Sequence, residues 1–269
     1  MSNELDPVGL LALAEAAVDE VEEAFRAGLG ARPARFKGEG DFATEVDLAI
    51  EQQLRALLTQ MTGIPVYGEE YGAADGVDLM SGNVWVVDPI DGTANYSAGN
   101  PMCGILVALL HDGRPVVALS SFPLIGRRVA AAEGGTFRSF GGPSGGFGGG
   151  PDALGFEESR GHVGCSSHLR SGIYGYLRRT GLRPRMTGSV GLDAAFVAQG
   201  VFDGAINFSI HPWDNAAGAL LVKAAGGVVT DVDGNEWTAV SSGMVVGTAQ
   251  VHATLLEAIE YNNNRRELR

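Results

Sequence analysis

Residues 85–96 read WVVDPIDGTANY. Val84 to Val87 form a short apolar, β-branched run of the length a buried strand wants, and the pattern breaks at Pro89 and Gly92. The strand is therefore expected to stop where two carboxylates begin. Pro89 fixes its own φ, so Asp88 and Asp91, separated by Pro89 and Ile90, can be held in one rigid bend facing the same side. Two carboxylates about 4 Å apart repel by roughly 1 to 4 kcal/mol, and a divalent cation reverses the sign of that interaction. Gly92 and Thr93 follow at what reads as a helix start, where free backbone N–H groups attract a phosphate. Acids fit for a metal beside an anion cradle suggest phosphoryl chemistry. A solvated proline turn accounts for Asp-Pro-x-Asp equally well, so the remaining sequence decides.

At 269 residues the chain holds one large domain or two ordinary ones. With 45% hydrophobic and 19% charged residues it has an ordinary globular composition, and no apolar run reaches the ~18 to 20 residues of a membrane span. The formal charge of -13 argues against nucleic acid or an anionic membrane as partner. MSNELDPV shows no basic region followed by an apolar core, so a cytoplasmic enzyme is expected. Cys103 and Cys165 stand far apart among small or apolar neighbours and read as core thiols.

Asp6-Pro7 opens a helix whose apolar face is Leu11, Ala14, Val18, Val21 and Phe25. Lys37 to Asp41 is a glycine-punctuated turn. Thr44 and Asp47 have capping-box spacing, which explains both without any chemistry, before a second helix with Val46, Ile50, Leu54, Leu57 and Met61 on one face. Ile64 to Tyr67 is a strand running into Gly68, Glu69 and Glu70. Neighbouring residues on an extended chain point opposite ways, so Glu69 is expected to face a site and Glu70 to be solvated. Met102 to His111, Asp112-Gly113 and Arg114 to Phe122 read as a hairpin, with another from Val129 to Arg138. Residues 141–150, GGPSGGFGGG, carry seven glycines in ten and are expected to be a flexible loop near the boundary of two halves, 1–145 and 146–269. The second half alternates: helix near 168–180, strand 185–187, helix 192–198, strand 202–208, helix 213–225, strands 228–231 and 244–246, and a helix from Ala249 to Tyr261.

A further acid stands at a strand-to-helix junction in HPWDNAAG, residues 211–218, where Asp214 taken alone is a natural cap. Glu69, Asp88, Asp91 and Asp214 together make an all-oxygen set that suits Mg²⁺, while no Cys/His pair has zinc spacing. The five histidines are scattered and read as structural or surface residues.

The strings GEE at 68–70, WVVDPIDGTANY and HPWDNAAG resemble the inositol monophosphatase family of Mg²⁺-dependent, lithium-sensitive phosphatases. Matches at Lys37, Asp41, Thr44, Asp47, Gly188-Ser189 and Ala225-Gly226-Gly227 fall in the same order, so the resemblance covers nearly the whole chain. It implies an α+β / α/β fold, a layered αβαβα sandwich with an antiparallel sheet in the N-terminal half and a mixed sheet in the C-terminal half, assembled as a homodimer. It implies Mg²⁺ held by Glu69, Asp88, Asp91, Asp214 and the Ile90 carbonyl, and phosphate bound by Gly92 and Thr93. Glu69 and Thr93 would orient the attacking water, with Asp47 supporting Thr93. Gly188, Ser189 and Val190 match a segment that contacts the substrate ring, and Asp91 and Asp214 also touch substrate.

The implied reaction is hydrolysis of a small phosphate monoester, first of all inositol 1-phosphate. Where inositol-preferring members carry a ring-binding glutamate, this chain has Asn207, an amide that donates as well as accepts. Fructose 1,6-bisphosphate, histidinol phosphate or a 3′,5′-bisphosphate nucleotide are the alternative substrates, and Asn207→Glu is expected to favour the inositol ester. A catalytically silent binding protein is the reading from another class; the intact acids and Thr93 speak against it. Asp91→Asn is expected to abolish turnover without touching the fold.

Overall fold

The computed structural model describes residues 5–38, 41–73, 76–141, 161–166 and 169–267. Asp6 caps α1 (Pro7–Ala27), accepting from the Gly9 amide at 3.0 Å, with Pro7 preset for the first turn. β1 (Pro33–Gly38) and β2 (Asp41–Thr44) pair antiparallel on either side of the expected turn, whose residues 39–40 lie outside the described ones. The Thr44/Asp47 capping box opens α2 (Glu45–Thr62), and Gly63 closes it with φ 70°. Its buried stripe is Asp47, Ile50, Glu51, Leu54 and Leu58, whereas Met61 is exposed. The helix is thus turned from the expected face, because two acids on it point inward to hydrogen-bond donors that apolar periodicity does not reveal.

β3 (Val66–Gly68), β4 (Asn83–Asp91), β5 (Gly104–His111), β6 (Arg114–Phe122), β7 (Arg127–Ala132) and β8 (Arg138–Phe140) form one sheet in that order. The sheet is antiparallel except that β3 and β4 run parallel, which sets their C-terminal ends, and the acids there, side by side. Asp112 and Gly113, with φ 47° and 80°, make the tight turn between β5 and β6. The β4 strand does not stop at Asp88 as expected. Asp88 pairs with Leu106 and Asp91 with Gly104 across an irregularity that takes Pro89, which has no N–H, out of the ladder. Gly92 then turns the chain into the short α3 (Thr93–Ser97).

β9 (His162–Cys165), β10 (Arg183–Arg185), β11 (Gly204–Asn207), β12 (Val228–Thr230) and β13 (Met244–Gly247) form a second, mixed sheet ordered β10-β9-β11-β13-β12. The sequence pattern did not show β9, four residues with a glycine among them, and it set β10 two residues late. α4 (Ser171–Arg179), α5 (Val190–Ala198), α6 (Pro212–Ala224) and α7 (Ala249–Glu267) complete the chain.

Burial alternates along the strands and sorts the layers. Trp85, Val87, Ile105 and Leu109 pack under α1 and α2, while Val86, Leu106 and Leu110 point the other way, onto Leu192 and Val197 of α5 and Leu221 of α6. The same helices cover Ala205, Met244 and Val246 of the second sheet, whose opposite face, Val163, Ile206 and Val245, packs on α4 and α7. The five layers are helix, sheet, helix, sheet, helix, as the family resemblance implied. Residues from both expected halves share the central core; the boundary at 145/146 and most of the glycine-rich stretch lie outside the described residues. Cys103 and Cys165 are buried free thiols.

Candidate active site

The ends of β3 and β4 and the start of α6 bring Glu69, Asp88, Asp91 and Asp214 together. Their burial is the first sign and their mutual charge the second. Burial, and then Glu69, Asp91 and Asp214 in turn, hold the Asp88 carboxyl well above the ordinary range. Burial outweighs the Lys37 ammonium and raises Glu69 to about 7, and its carboxyl is hydrogen-bonded to that of Asp88. Burial also raises Asp214 to about 7, against a hydrogen bond from Ser209 and with the charges of Asp91 and Glu69 adding to the rise. For Asp91 burial prevails over four donors and lifts it to about 6.

The cation nearest these acids comes from the β1–β2 arm. Lys37 Nζ stands 2.6 Å from both Glu69 Oε1 and Glu70 Oε1, and against the pull of burial these two hold the ammonium firmly protonated. Glu70 is therefore not the solvated residue that strand alternation suggested. The chain turns at Glu69-Glu70, so both side chains reach one lysine, and Glu70 also takes Arg35 at 2.7 Å. Glu51 of α2 fixes that turn by accepting the amides of Glu70 at 2.7 Å and Tyr71 at 3.1 Å. A side chain at Gly68 would collide with the Glu51 carboxylate.

Asp91 is clasped by the N-terminus of α5. It accepts from the Ser189 hydroxyl, from Val190 N at 3.1 Å and from Gly191 N at 2.9 Å, a helix start satisfying a carboxylate. A Cβ on Gly191 would stand 2.8 Å from Asp91 Oδ2. Gly92, at φ 87°, is in a conformation that favours glycine and lies against the Gly188 carbonyl. Thr93 Oγ1 is 2.9 Å from the Ile90 carbonyl and 3.0 Å from Asp47 Oδ1. Asp47 Oδ2 meanwhile accepts the Thr44 amide at 2.8 Å, so the helix cap and the support for Thr93 are one residue. Burial raises the Asp47 carboxyl.

Beside the acids opens a cavity of ≈ 410 Å³, walled by Gly188, Ser189, Val190, Asp193, Ser209 and Asp214, among others. Cys165, Phe208 and His211 line it too, His211 stacked on Trp213 at 4.5 Å. Asp41 and Lys37 of the arm lie close enough to act on the His211 charge, so the arm passes near this wall. Sequence reading did not single out Arg35, Glu51 or Asp193 and set His211 aside. The partial signal was the place of Asp193 in the first turn of a helix beginning at a site loop.

Asn207, expected to face the ring, is held behind the wall. Its Nδ2 donates to Asn215 Oδ1 at 2.8 Å and its Oδ1 accepts the Ser209 amide at 3.0 Å, and the residue is buried. The expected gain from Asn207→Glu is accordingly reversed. A carboxylate there loses the donor to Asn215 and adds charge near Asp214. Chemical denaturation should show a loss of about 2 to 4 kcal/mol, and inositol phosphate turnover should not improve. A selective gain at unchanged stability would place Asn207 in contact with substrate after all.

Among the described residues no three His, Cys, Asp or Glu side chains are already placed to hold a metal ion; Glu69 pairs with Lys37, and Asp91 is held by the α5 amides. The donors nonetheless fit a hard divalent cation. They are carboxyl oxygens throughout, and their proton affinities are raised first by burial and then by the neighbouring acids, both of which a bound cation would offset.

A profile of the inositol monophosphatase family matches residues 5–263. The chain is 44% identical over 267 residues to inositol-1-monophosphatase ImpA of Mycolicibacterium smegmatis, covering 96% of this chain and 95% of that protein. It is 35% identical to a histidinol-phosphatase of Mycobacterium tuberculosis over 83% of this chain and 88% of that one. The extragenic suppressor protein suhB of Bartonella henselae has the same fold, with a TM-score of 0.78 at 24% identity over 93% of this chain and 98% of that one.

Proposed function

The chain belongs to the inositol monophosphatase family, and from that premise we propose that it hydrolyses inositol 1-phosphate to inositol and phosphate with Mg²⁺. The observation that carries this is the convergence of four carboxyls, Asp88 and Asp91 buried and Glu69 and Asp214 half-buried, next to a cavity large enough for a phosphorylated sugar-like ring. Glu69, Asp88, Asp91, Asp214 and the Ile90 carbonyl would hold the ion. Bound there, Mg²⁺ supplies a Lewis acid for the phosphoryl group and lowers the pKa of the attacking water.

The residues of the chain do the positioning. The Gly92-Thr93 turn presents backbone N–H groups to the phosphate oxygens. Thr93 Oγ1, donating its hydrogen to Asp47 Oδ1, keeps its lone pairs for the water, and Glu69 accepts a proton from the same water. Ser189 and Val190 hold Asp91 and, with Gly188, face the alcohol half, while Asp214 sits between the two halves of the substrate. A homodimer, a cytoplasmic location and inhibition by lithium accompany the family resemblance and belong to the same proposal. No helix is long and apolar enough to cross a membrane among the described residues.

Phosphate release in Mg²⁺ from inositol 1-phosphate, fructose 1,6-bisphosphate, histidinol phosphate and a 3′,5′-bisphosphate nucleotide tests the assignment. The highest kcat/KM is expected for the inositol ester. A ranking led by histidinol phosphate would assign the chain to the activity named for its 35% identical relative.

A further inference from the structure

Asp193 is 6% exposed and lines the cavity, yet its carboxyl is only half engaged. One oxygen, Oδ1, accepts from Thr187 Oγ1 at 2.8 Å, and among the described residues nothing donates to the other. No lysine, arginine or histidine pairs with it there either. The fold makes room for this group: a Cβ on Gly164 of β9 would stand 2.6 Å from Asp193 Cγ. Two residues earlier on α5, Gly191 donates to Asp91, so Asp193 lies next to the acid cluster but on the wall that faces the alcohol half of the substrate. A buried carboxyl with an open oxygen is costly unless a donor reaches it. Asn207, by contrast, spends both ends of its amide on Asn215 and Ser209.

We infer that Asp193 selects the alcohol half of the substrate by accepting a hydrogen bond from one of its hydroxyls. The role rests on the phosphatase reading and adds to it the residue that tells a hydroxyl-rich alcohol half from a hydroxyl-poor one. A hydroxyl-poor ester leaves the open oxygen unpaired and forfeits the contact. The contact lies away from the phosphorus, so it holds ground and transition states alike and acts through KM.

Steady-state kinetics of the wild type and Asp193→Asn on inositol 1-phosphate and phenyl phosphate test it, with inositol 1-phosphate also titrated as a competitor of phenyl phosphate hydrolysis. For the inositol ester, KM and the competitive Ki are expected to rise about tenfold with kcat within about twofold, while phenyl phosphate parameters stay within about twofold. Should the Asn variant melt without cooperativity, Asp193→Ser, which leaves room beside Thr187, carries the same expectation. Parallel losses on both esters would show that Asp193 merely props the Thr187–Ser189 turn, and an unchanged KM for the inositol ester would place it out of reach of substrate. Either result overturns the inference while phenyl phosphate turnover still upholds the phosphatase. A wild type inactive on both esters contradicts the phosphatase reading itself, and this inference with it.

Discussion

Asp91→Asn is expected to abolish phosphate release, by at least about 10³-fold, and also to lower stability by about 1 to 3 kcal/mol. The loss of turnover follows from removing one charge from the four-carboxyl set while leaving its shape unchanged. The loss of stability is what the structure adds to the sequence expectation of an untouched fold. Asp91 accepts from Ser189 and from the Val190 and Gly191 amides, and it joins the end of β4 to the start of α5. An amide offers one acceptor oxygen and turns an NH₂ toward the remaining donors, so part of that clasp is lost. Phosphate release in saturating Mg²⁺ and a thermal melt of the same preparation read the two effects. Activity within a few-fold of wild type would place the reaction elsewhere, and a melt unchanged from wild type would show that the clasp contributes nothing.

The metal-free protein should lose stability as pH rises from about 5 to 8. In the unfolded chain these carboxyls give up their protons near 4, whereas in the fold Asp91 keeps its proton to about 6 and Glu69 and Asp214 to about 7. Between those limits the native state binds more protons than the unfolded one. Their favourable contribution is therefore complete below pH 4 and is lost as pH climbs through 7. A loss of about 2 kcal/mol, some 5 °C in Tm, is a conservative expectation in EDTA. Mg²⁺ at a hundredfold excess over Kd adds about 2.7 kcal/mol. The rise should be larger at pH 8 than at pH 5, because protons and metal compete for the same oxygens. A Tm in EDTA that is flat or rising over this window, or one indifferent to Mg²⁺ at pH 8, would count against a cluster of uncompensated acids.

What was legible in the sequence was whatever repeats with a period or sits at a junction. The β4 run, the Asp112-Gly113 turn and the Asp6 cap are local features, and they fold locally. The four acids were legible because each ends a strand or opens a helix. Buried acids inside elements were not: Asp47 and Glu51 lie on the inner face of α2, where an apolar count sees polar residues and turns the helix the wrong way. Glu70 was misjudged because strand alternation ends where the chain turns. The interior strand β9 went unseen because its register comes from β10 and β11 on either side, with no pattern of its own. Asn207 and Asp193 show the same limit in the site. The family resemblance favoured the first as a substrate contact, but Asn215 and the Ser209 amide turn its amide inward, and Gly164 lets Asp193 reach the cavity wall.

The central claim, that these carboxyls form one Mg²⁺ site, is tested most directly by calorimetric titration of Mg²⁺ at pH 6.5 in two buffers of different ionisation heat. With Glu69 and Asp214 protonated up to about 7, binding should displace about one proton or more per ion, and Asp214→Asn should weaken binding and reduce that release together. Binding with no proton release, and with the same affinity in Asp214→Asn, would contradict it.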